Sequence, residues 1–425
     1  MKKLLLSTII ILLLSSVLLI SCGEDVTTTT TDITTTTVTD ITTTESLTYN
    51  ISYELNGGTN SAENPSIYNK GDIITLSFPT REDYMFMGWY TDSSLTNEIK
   101  EINGKEENLT FYAKWIPFTD IFTFYEVNDG YRVTIHNNIV TDIIIPSSYK
   151  GVSVTDIYTP NGISESVKYI YVPETINRIS GYGFTISEPD EASLEYIDVD
   201  LNNPYFKSVD GVMYSKDGKC LVQYPSGKKE DSFVIPHGTI EIGKYAFACC
   251  KYLKKVTIAD TVTTIGAASF YECAALERIA IPNSVVILEF AAFYKCTSLK
   301  SVTLSKNIEI IRFSAFEYCS SLEEIIIHNG TKIIDTSAFS SCSSLKSVTI
   351  PNSVTTIRYR AFAECGSIEN IIIPRSVTVI GNNAFESSFD ELSITVYCEA
   401  ESKPDGWKDF WDRDVKEVIW GYKAV

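Results

Sequence analysis

The chain has 425 residues and sets 35 Lys and Arg against 54 Asp and Glu, a formal net charge of −19 at pH 7. That surplus excludes nucleic-acid binding, which needs a Lys/Arg surface to displace counterions, and docking on anionic lipid through a basic patch. With 44% apolar residues the chain can build real cores over two or three domains. Its three histidines, His136, His237 and His328, are far apart, a poor start for histidine-based metal or acid–base chemistry.

The first element is an address. Lys2 and Lys3 precede an apolar run from Leu4 to Ile20, broken only by Ser and Thr. A membrane-spanning helix of about 20 residues is the competing reading. A signal peptide over 1–21 fits better, because the apolar run follows at once on a short basic end. Leu19-Ile20-Ser21-Cys22 resembles the bacterial lipobox, which implies lipidation at Cys22 and a mature chain beginning there. Acyl chains anchor by about 0.8 kcal/mol per buried methylene. Residues 22–46 follow as a stalk: positions 27–44 contain 13 Thr among 18 residues. Such a segment has too few apolar groups for a core. Fully extended it spans about 80 Å.

Residues 47–117 change character. Tyr49, Ile51, Tyr53 and Leu55 alternate along a strand, and Asn56-Gly57-Gly58 supplies a turn. Ile73–Leu76, Gly88-Trp89-Tyr90 and Phe111–Trp115 complete a small β module. Its pattern ISYELNGG, YNKGDIITL, PTREDYMFMGWYTD and LTFYAKW resembles the internalin B-repeat, or Listeria–Bacteroides repeat. The resemblance implies a β-grasp-like module of surface proteins. Trp89 and Trp115 are read as core rather than as a sugar platform, since large aromatics dominate small cores.

Residues 118–142 are a linker and N-terminal cap, with Phe122 to Ile135 as a capping strand or hairpin. From 143 to 392 the chain repeats. Phe247, Phe270, Phe293, Phe316, Phe339, Phe362 and Phe385 recur every 23 residues, as do Cys250, Cys273, Cys296, Cys319, Cys342 and Cys365. Leu253, Leu276, Leu299, Leu322, Leu345 and Ile368 follow each Cys by three. The Leu-x-x-Val-x-Ile segment is a short strand with one apolar face. Ala-Phe-x-x-Cys-x-x-Leu spaces its apolar groups as a helical or 3₁₀ turn would. One such unit cannot bury its apolar edge alone, so roughly ten coils must stack, parallel strands on one side and turns on the other. The fold class expected is a leucine-rich-repeat solenoid behind the small β module. An inserted hairpin is expected at about 202–232, centred on Val212–Val222, and an aromatic C-terminal cap at 393–425 with Trp407, Trp411 and Trp420.

The pattern IPNSVTTIRYRAFAECGSIENIIIP and its copies resemble the BspA-type leucine-rich repeats, as do DGVMYSKDGKCLVQYPSGK and the C-terminal ending. That family comprises bacterial and protist surface proteins, some implicated in adhesion to host matrix or to other cells. The resemblance therefore implies a lipid-anchored surface protein on the extracytoplasmic face, contacting a protein partner through the solenoid. A non-catalytic scaffold of the envelope is the alternative. No catalytic residue, cofactor or metal ligand travels with the family, and no Ser-His-Asp, Cys-His, P-loop or zinc-helix pattern is present. The cysteine ladder reads as small buried hydrophobes, with Cys249 pointing away from it. Coil spacing also lies within disulfide range, which leaves oxidation as the competing arrangement. Asp405, Asp409, Asp412 and Asp414 lack EF-hand spacing and read as a solvated cap.

Side chains between the inward strand positions must face outward. On six coils these are Lys255/Thr257, Arg278/Ala280, Ser301/Thr303, Glu324/Ile326, Ser347/Thr349 and Asn370/Ile372, with Tyr196/Asp198 from a divergent coil. Tyr196, Thr257, Arg278, Glu324, Ile326 and Ile372 are the candidate protein-contact residues. The inserted hairpin and the convex turns are rival surfaces.

Overall fold

The computed structural model describes residues 47–136, 140–185, 193–387 and 394–423. The address segment, Cys22 and the Thr-rich stalk lie outside the described residues.

The β module is built from β1 (Thr48–Glu54), β2 (Ile67–Asn69), β3 (Ile73–Thr75), β4 (Tyr84–Tyr90), β5 (Glu98–Ile99), β6 (Glu101–Asn103) and β7 (Leu109–Pro117). The main sheet has the order β2-β1-β7-β4-β5, with its first and last long strands, β1 and β7, parallel at the centre. β3 and β6 form an antiparallel arm. Alternation along β7 buries Leu109, Phe111 and Ala113 under Trp89 and Ile51. Trp89 is core, and its Nε1 donates to the Ser77 carbonyl at 3.2 Å. Trp115 is half-buried and donates to Leu55 O at 2.8 Å. Both indoles are thereby committed to structure. Met85 reaches out of the module into the next core, and Asp83 Oδ1 accepts from the Lys150 backbone N–H at 3.1 Å.

β8 (Phe122–Val127) and β9 (Gly130–Ile135) form the antiparallel capping hairpin. β10 (Asp142–Ile144), β11 (Ser148–Tyr149), β12 (Val152–Thr159), β13 (Tyr169–Val172), β14 (Arg178–Gly181) and β15 (Tyr196–Val199) make the first coils. β10, β13 and β15 pair in parallel on one side, and β9, β12 and β14 on another.

The inserted segment has one strand more than the expected hairpin. β16 (Phe206–Val209), β17 (Val212–Ser215) and β18 (Cys220–Gln223) form a three-stranded antiparallel meander. Its last strand then pairs in parallel with Glu241–Ile242 of the next coil. Val212, Tyr214 and Leu221 are buried, so the insertion belongs to the stack rather than hanging from it.

The solenoid makes about twelve turns. Beyond the insertion, coils repeat three walls. The first is a nine-stranded parallel sheet from Ser232–Val234 to Glu417–Trp420. The second, where the sequence reading expected only turns, is a run of two-residue parallel strands such as Thr264–Ile265 and Ile333–Ile334. The third is the turn wall. There Phe247, Phe270, Phe293, Phe316, Phe339, Phe362 and Phe385 stack with centroids 4.9–5.8 Å apart and planes within 10° of parallel, all buried. Trp411 ends the column edge-on to Phe385, beside Trp407.

The turn wall has a backbone device that residue types do not announce. Two residues before each Phe, and two after each from Phe247 to Phe362, the chain is left-handed without glycine. Ala268, Ala291, Ser314, Ser337 and Arg360 have φ of 52–55°, and Glu272, Lys295, Tyr318, Ser341 and Glu364 of 54–61°. This conformation costs an L-residue about 1–2 kcal/mol. It is offset by a ladder in which alternate N–H groups reach the next coil. Ala291 N donates to Phe313 O at 2.9 Å, Phe293 N to Ala315 O at 2.8 Å and Lys295 N to Glu317 O at 2.8 Å. The intervening N–H groups close local turns, as Tyr294 N does to Ala291 O at 3.1 Å. At the far end Phe410 supplies the carbonyl for Asn383 N at 2.7 Å.

Charges also stack by coil. Lys254, Glu277, Lys300, Glu323, Lys346 and Glu369 occupy one repeat position and alternate in sign. Lys346 Nζ lies 2.8 Å from Glu323. Glu289, Arg312, Asp335 and Arg358 occupy another and alternate likewise, with Arg358–Asp335 at 2.9 Å and Arg312–Glu289 at 3.7 Å. Each exposed pair contributes little alone; the alternation prevents like charges from meeting along the stack.

Candidate binding face

The nine-stranded sheet buries every second residue, so the rest form straight columns across the coils. Strand register fixes their membership. One column runs Val234, Thr257, Ala280, Thr303, Ile326, Thr349, Ile372, Tyr397 and Ile419. It holds no charged side chain over nine strands. Val234 is 68% exposed, Ile326 55% and Ile372 39%. The neighbouring column opens Ser232, Lys255, Arg278, Ser301, Glu324, Ser347. Its basic residues sit toward the first coils and Glu324 further along, so the face is polarised along the stack.

Five of the six candidate residues, Thr257, Arg278, Glu324, Ile326 and Ile372, therefore lie exposed on one continuous sheet. Tyr196 does not. It stands on β15, in the separate sheet of β10, β13 and β15. Its ring stacks on Tyr169 at 6.1 Å, and the β16–β17 turn covers it so closely that a Cβ on Gly211 would lie 2.5 Å from the ring. Burial, with Asp198 and Asp210 nearby, pushes its phenol pKa up. Periodicity placed Tyr196 on the common face; the meander interrupts that face. Val234, Tyr397 and Ile419 were missed because they occur in coils whose sequence departs from the 23-residue pattern, although they occupy the same register.

The cysteine column offers no nucleophile. Of the nine cysteines among the described residues all but Cys220 are buried, and the ladder Cys250, Cys273, Cys296, Cys319, Cys342 and Cys365 carries free thiols. Cys296, Cys319, Cys342 and Cys365 each donate S–H to the carbonyl of a Phe in the preceding coil at 3.1 Å. Burial pushes the thiols of Cys365 and Cys398 up to about 12 and those of Cys250, Cys296 and Cys342 well above their ordinary range. A thiol held protonated at neutral pH is unreactive. Cys249 faces away from the column, into the core of the first coils, as its adjacent position requires. Among the described residues no three His, Cys, Asp or Glu side chains converge as metal ligands. Asp409 pairs with Lys403 at 3.0 Å. Asn329-Gly330-Thr331 is a turn, with Thr331 buried and its hydroxyl donating to Ile308 O at 2.9 Å.

Stacked coils with a parallel sheet, an inward Leu/Ile/Phe ladder and a 23-residue period define a leucine-rich-repeat solenoid. Residues 226–333 and 309–400 match the BspA type leucine rich repeat region in six copies, and residues 49–114 match the Listeria-Bacteroides repeat domain. The solenoid is of the BspA type, and the module before it is a Listeria-Bacteroides repeat. A leucine-rich repeat protein from Eubacterium ventriosum is 31% identical with a TM-score of 0.53; the match covers 59% of this chain and 66% of that one. A leucine rich cell surface protein from Faecalibacterium prausnitzii is 18% identical with a TM-score of 0.36, over 71% of this chain and 95% of that one. A protein named as a Gly-rich membrane protein in Evansella cellulosilytica is 31% identical over 128 residues, 30% of this chain. That match spans only 13% of the relative's length.

Proposed function

We propose that this chain is a lipid-anchored surface protein of the bacterial envelope that binds a protein partner, on host matrix or another cell, through the nine-stranded face of its solenoid. The observation that carries the reading is the uncharged, partly apolar column from Val234 to Ile419. On a chain of net charge −19, a long column without charge is the surface least costly to desolvate. The charged column beside it, Arg278 to Glu324, would set the partner's orientation. Extended solenoid faces are the usual contact surfaces of repeat proteins, and a broad, shallow face suits a protein rather than a small molecule.

The envelope location rests on the Lys2-Lys3 end, the apolar run and Cys22, together with the membrane-protein names of the Evansella relatives. Leucine-rich-repeat folds are typical of non-enzymatic binding proteins, and we read this one as non-catalytic. The test is capture of the chain on immobilised matrix proteins and on whole cells. The comparison is a variant carrying Arg278→Glu, Ile326→Asp and Ile372→Asp. Capture by the wild type alone supports the face; equal capture of a folded variant places the contact elsewhere. For the anchor, Cys22→Ser should abolish partitioning into the detergent phase.

A further inference from the structure

A second site lies at the N-terminal end of the solenoid, away from the nine-stranded face. β9, β12 and β14 run parallel, and their register sets Arg132 and Arg178 on either side of Asp156. The Asp156 side chain is 2% exposed. Its Oδ2 accepts from Arg132 Nε at 2.7 Å and from Arg178 Nε and Nη2 at 3.1 and 2.8 Å. Its other oxygen, Oδ1, is buried without a hydrogen-bond partner. Each guanidinium also keeps N–H groups that this row does not use.

The row does not lie on an open sheet. The tip of the β8–β9 hairpin stands beside it and borders an open-mouthed cavity of about 660 Å³. Asn128 and Asn177 add amides and Thr155 a hydroxyl, while Glu126 and Asp129 add carboxylates. Two guanidiniums against three carboxylates leave the lining formally at −1, which disfavours an anion. The lining mixes donors with acceptors, so a neutral ligand whose groups both donate and accept suits it. A saccharide hydroxyl is such a group. We propose that this cavity is a subsite for a neutral saccharide unit, with Arg132, Arg178, Asn128 and Asn177 as its contacts and Asp156 as the positioning residue that holds both guanidiniums.

The test is saturation-transfer NMR on the full chain. Probes are the methyl glycosides of glucose, galactose, mannose and N-acetylglucosamine, with the methyl glycoside of galacturonic acid, its carboxylate free, as the anionic control. Saturable transfer from at least one neutral glycoside is expected. Affinity should fall about tenfold or more in an Arg178→Ala/Asn177→Ala variant, the loss of one or two good hydrogen bonds. Arg132 still pairs with Asp156 in that variant, and circular dichroism checks its fold. Asp156→Asn should weaken binding through loss of guanidinium alignment, and the charge-preserving Arg178→Lys should retain only part of the wild-type affinity. The proposal is overturned by absence of saturable transfer from all four neutral glycosides, by equal affinity in the folded double variant, or by saturation with the galacturonate alone.

Discussion

Ala291 and Ala280 lie in the same repeat but in opposite backbone states, and one substitution separates them. Ala291 has φ of 53° on the turn wall. Ala280 is an exposed residue of the strand Arg278–Ala280. Valine at 280 meets an extended backbone that suits β-branched residues, and should change stability by no more than about 0.5 kcal/mol. Valine at 291 must hold a branched Cβ in the left-handed region, adding about 1–2 kcal/mol of strain. If the residue escapes by changing φ, it breaks the 2.9 Å bond to Phe313 O and the 3.1 Å bond from Tyr294 N. Those bonds are worth about 1 kcal/mol each. Either route predicts a loss of about 2 kcal/mol for Ala291→Val, while Ala291→Gly should be neutral or slightly stabilising. Urea denaturation followed by circular dichroism gives the midpoints. Equal midpoints for the two valine variants would refute the left-handed ladder as a structural requirement.

Phe316→Ala should destabilise by about 3–5 kcal/mol, since a buried ring between two stacked neighbours leaves a cavity; calorimetry or urea melts measure it, and a loss below about 1 kcal/mol would contradict the column. Folded protein should resist maleimide labelling at Cys250 through Cys365, and denatured protein should accept it, with intact mass as the readout. The same thiols make stability fall at high pH. Cys365 and Cys398 ionise near 9 when unfolded and near 12 when folded, so their contribution is complete below about 9 and lost as pH rises toward 12. A stability curve flat from pH 8 to pH 11 would disprove it, and Cys365→Ala should shallow the slope. Lys300→Glu places three acids in succession with Glu277 and Glu323 and should lower the midpoint modestly at low salt, with recovery as salt screens the repulsion.

Much of this architecture is written in the period. Once Phe247 to Phe385 recur every 23 residues, their stacking follows, as do the inward Leu and Ile positions and the outward columns. Other features depend on information the period does not carry. Tyr, Ala, Ser and Arg at the left-handed positions have no residue signature, because inter-coil hydrogen bonds impose the conformation. The second wall of strands was hidden because two-residue strands show no alternation. Tyr196 was placed on the common face because the meander's docking on it, through Gly211, is a tertiary event. The Arg132–Asp156–Arg178 row joins residues from three strands that only the pairing brings together.

The alternating charges have a bearing on how such an array can be inherited. A tandem duplication or loss of one regular coil leaves the apolar ladders matched, since the coils from Phe247 to Ile368 offer the same Phe, Cys and Leu or Ile. It does not leave the charges matched. Removing the coil that carries Glu277 would set Lys254 against Lys300, whereas removing the next coil as well would set Lys254 against Glu323. The other column, with Glu289, Arg312, Asp335 and Arg358, changes phase at the same step. Adding or deleting interior coils two at a time keeps the alternation, and one at a time breaks it.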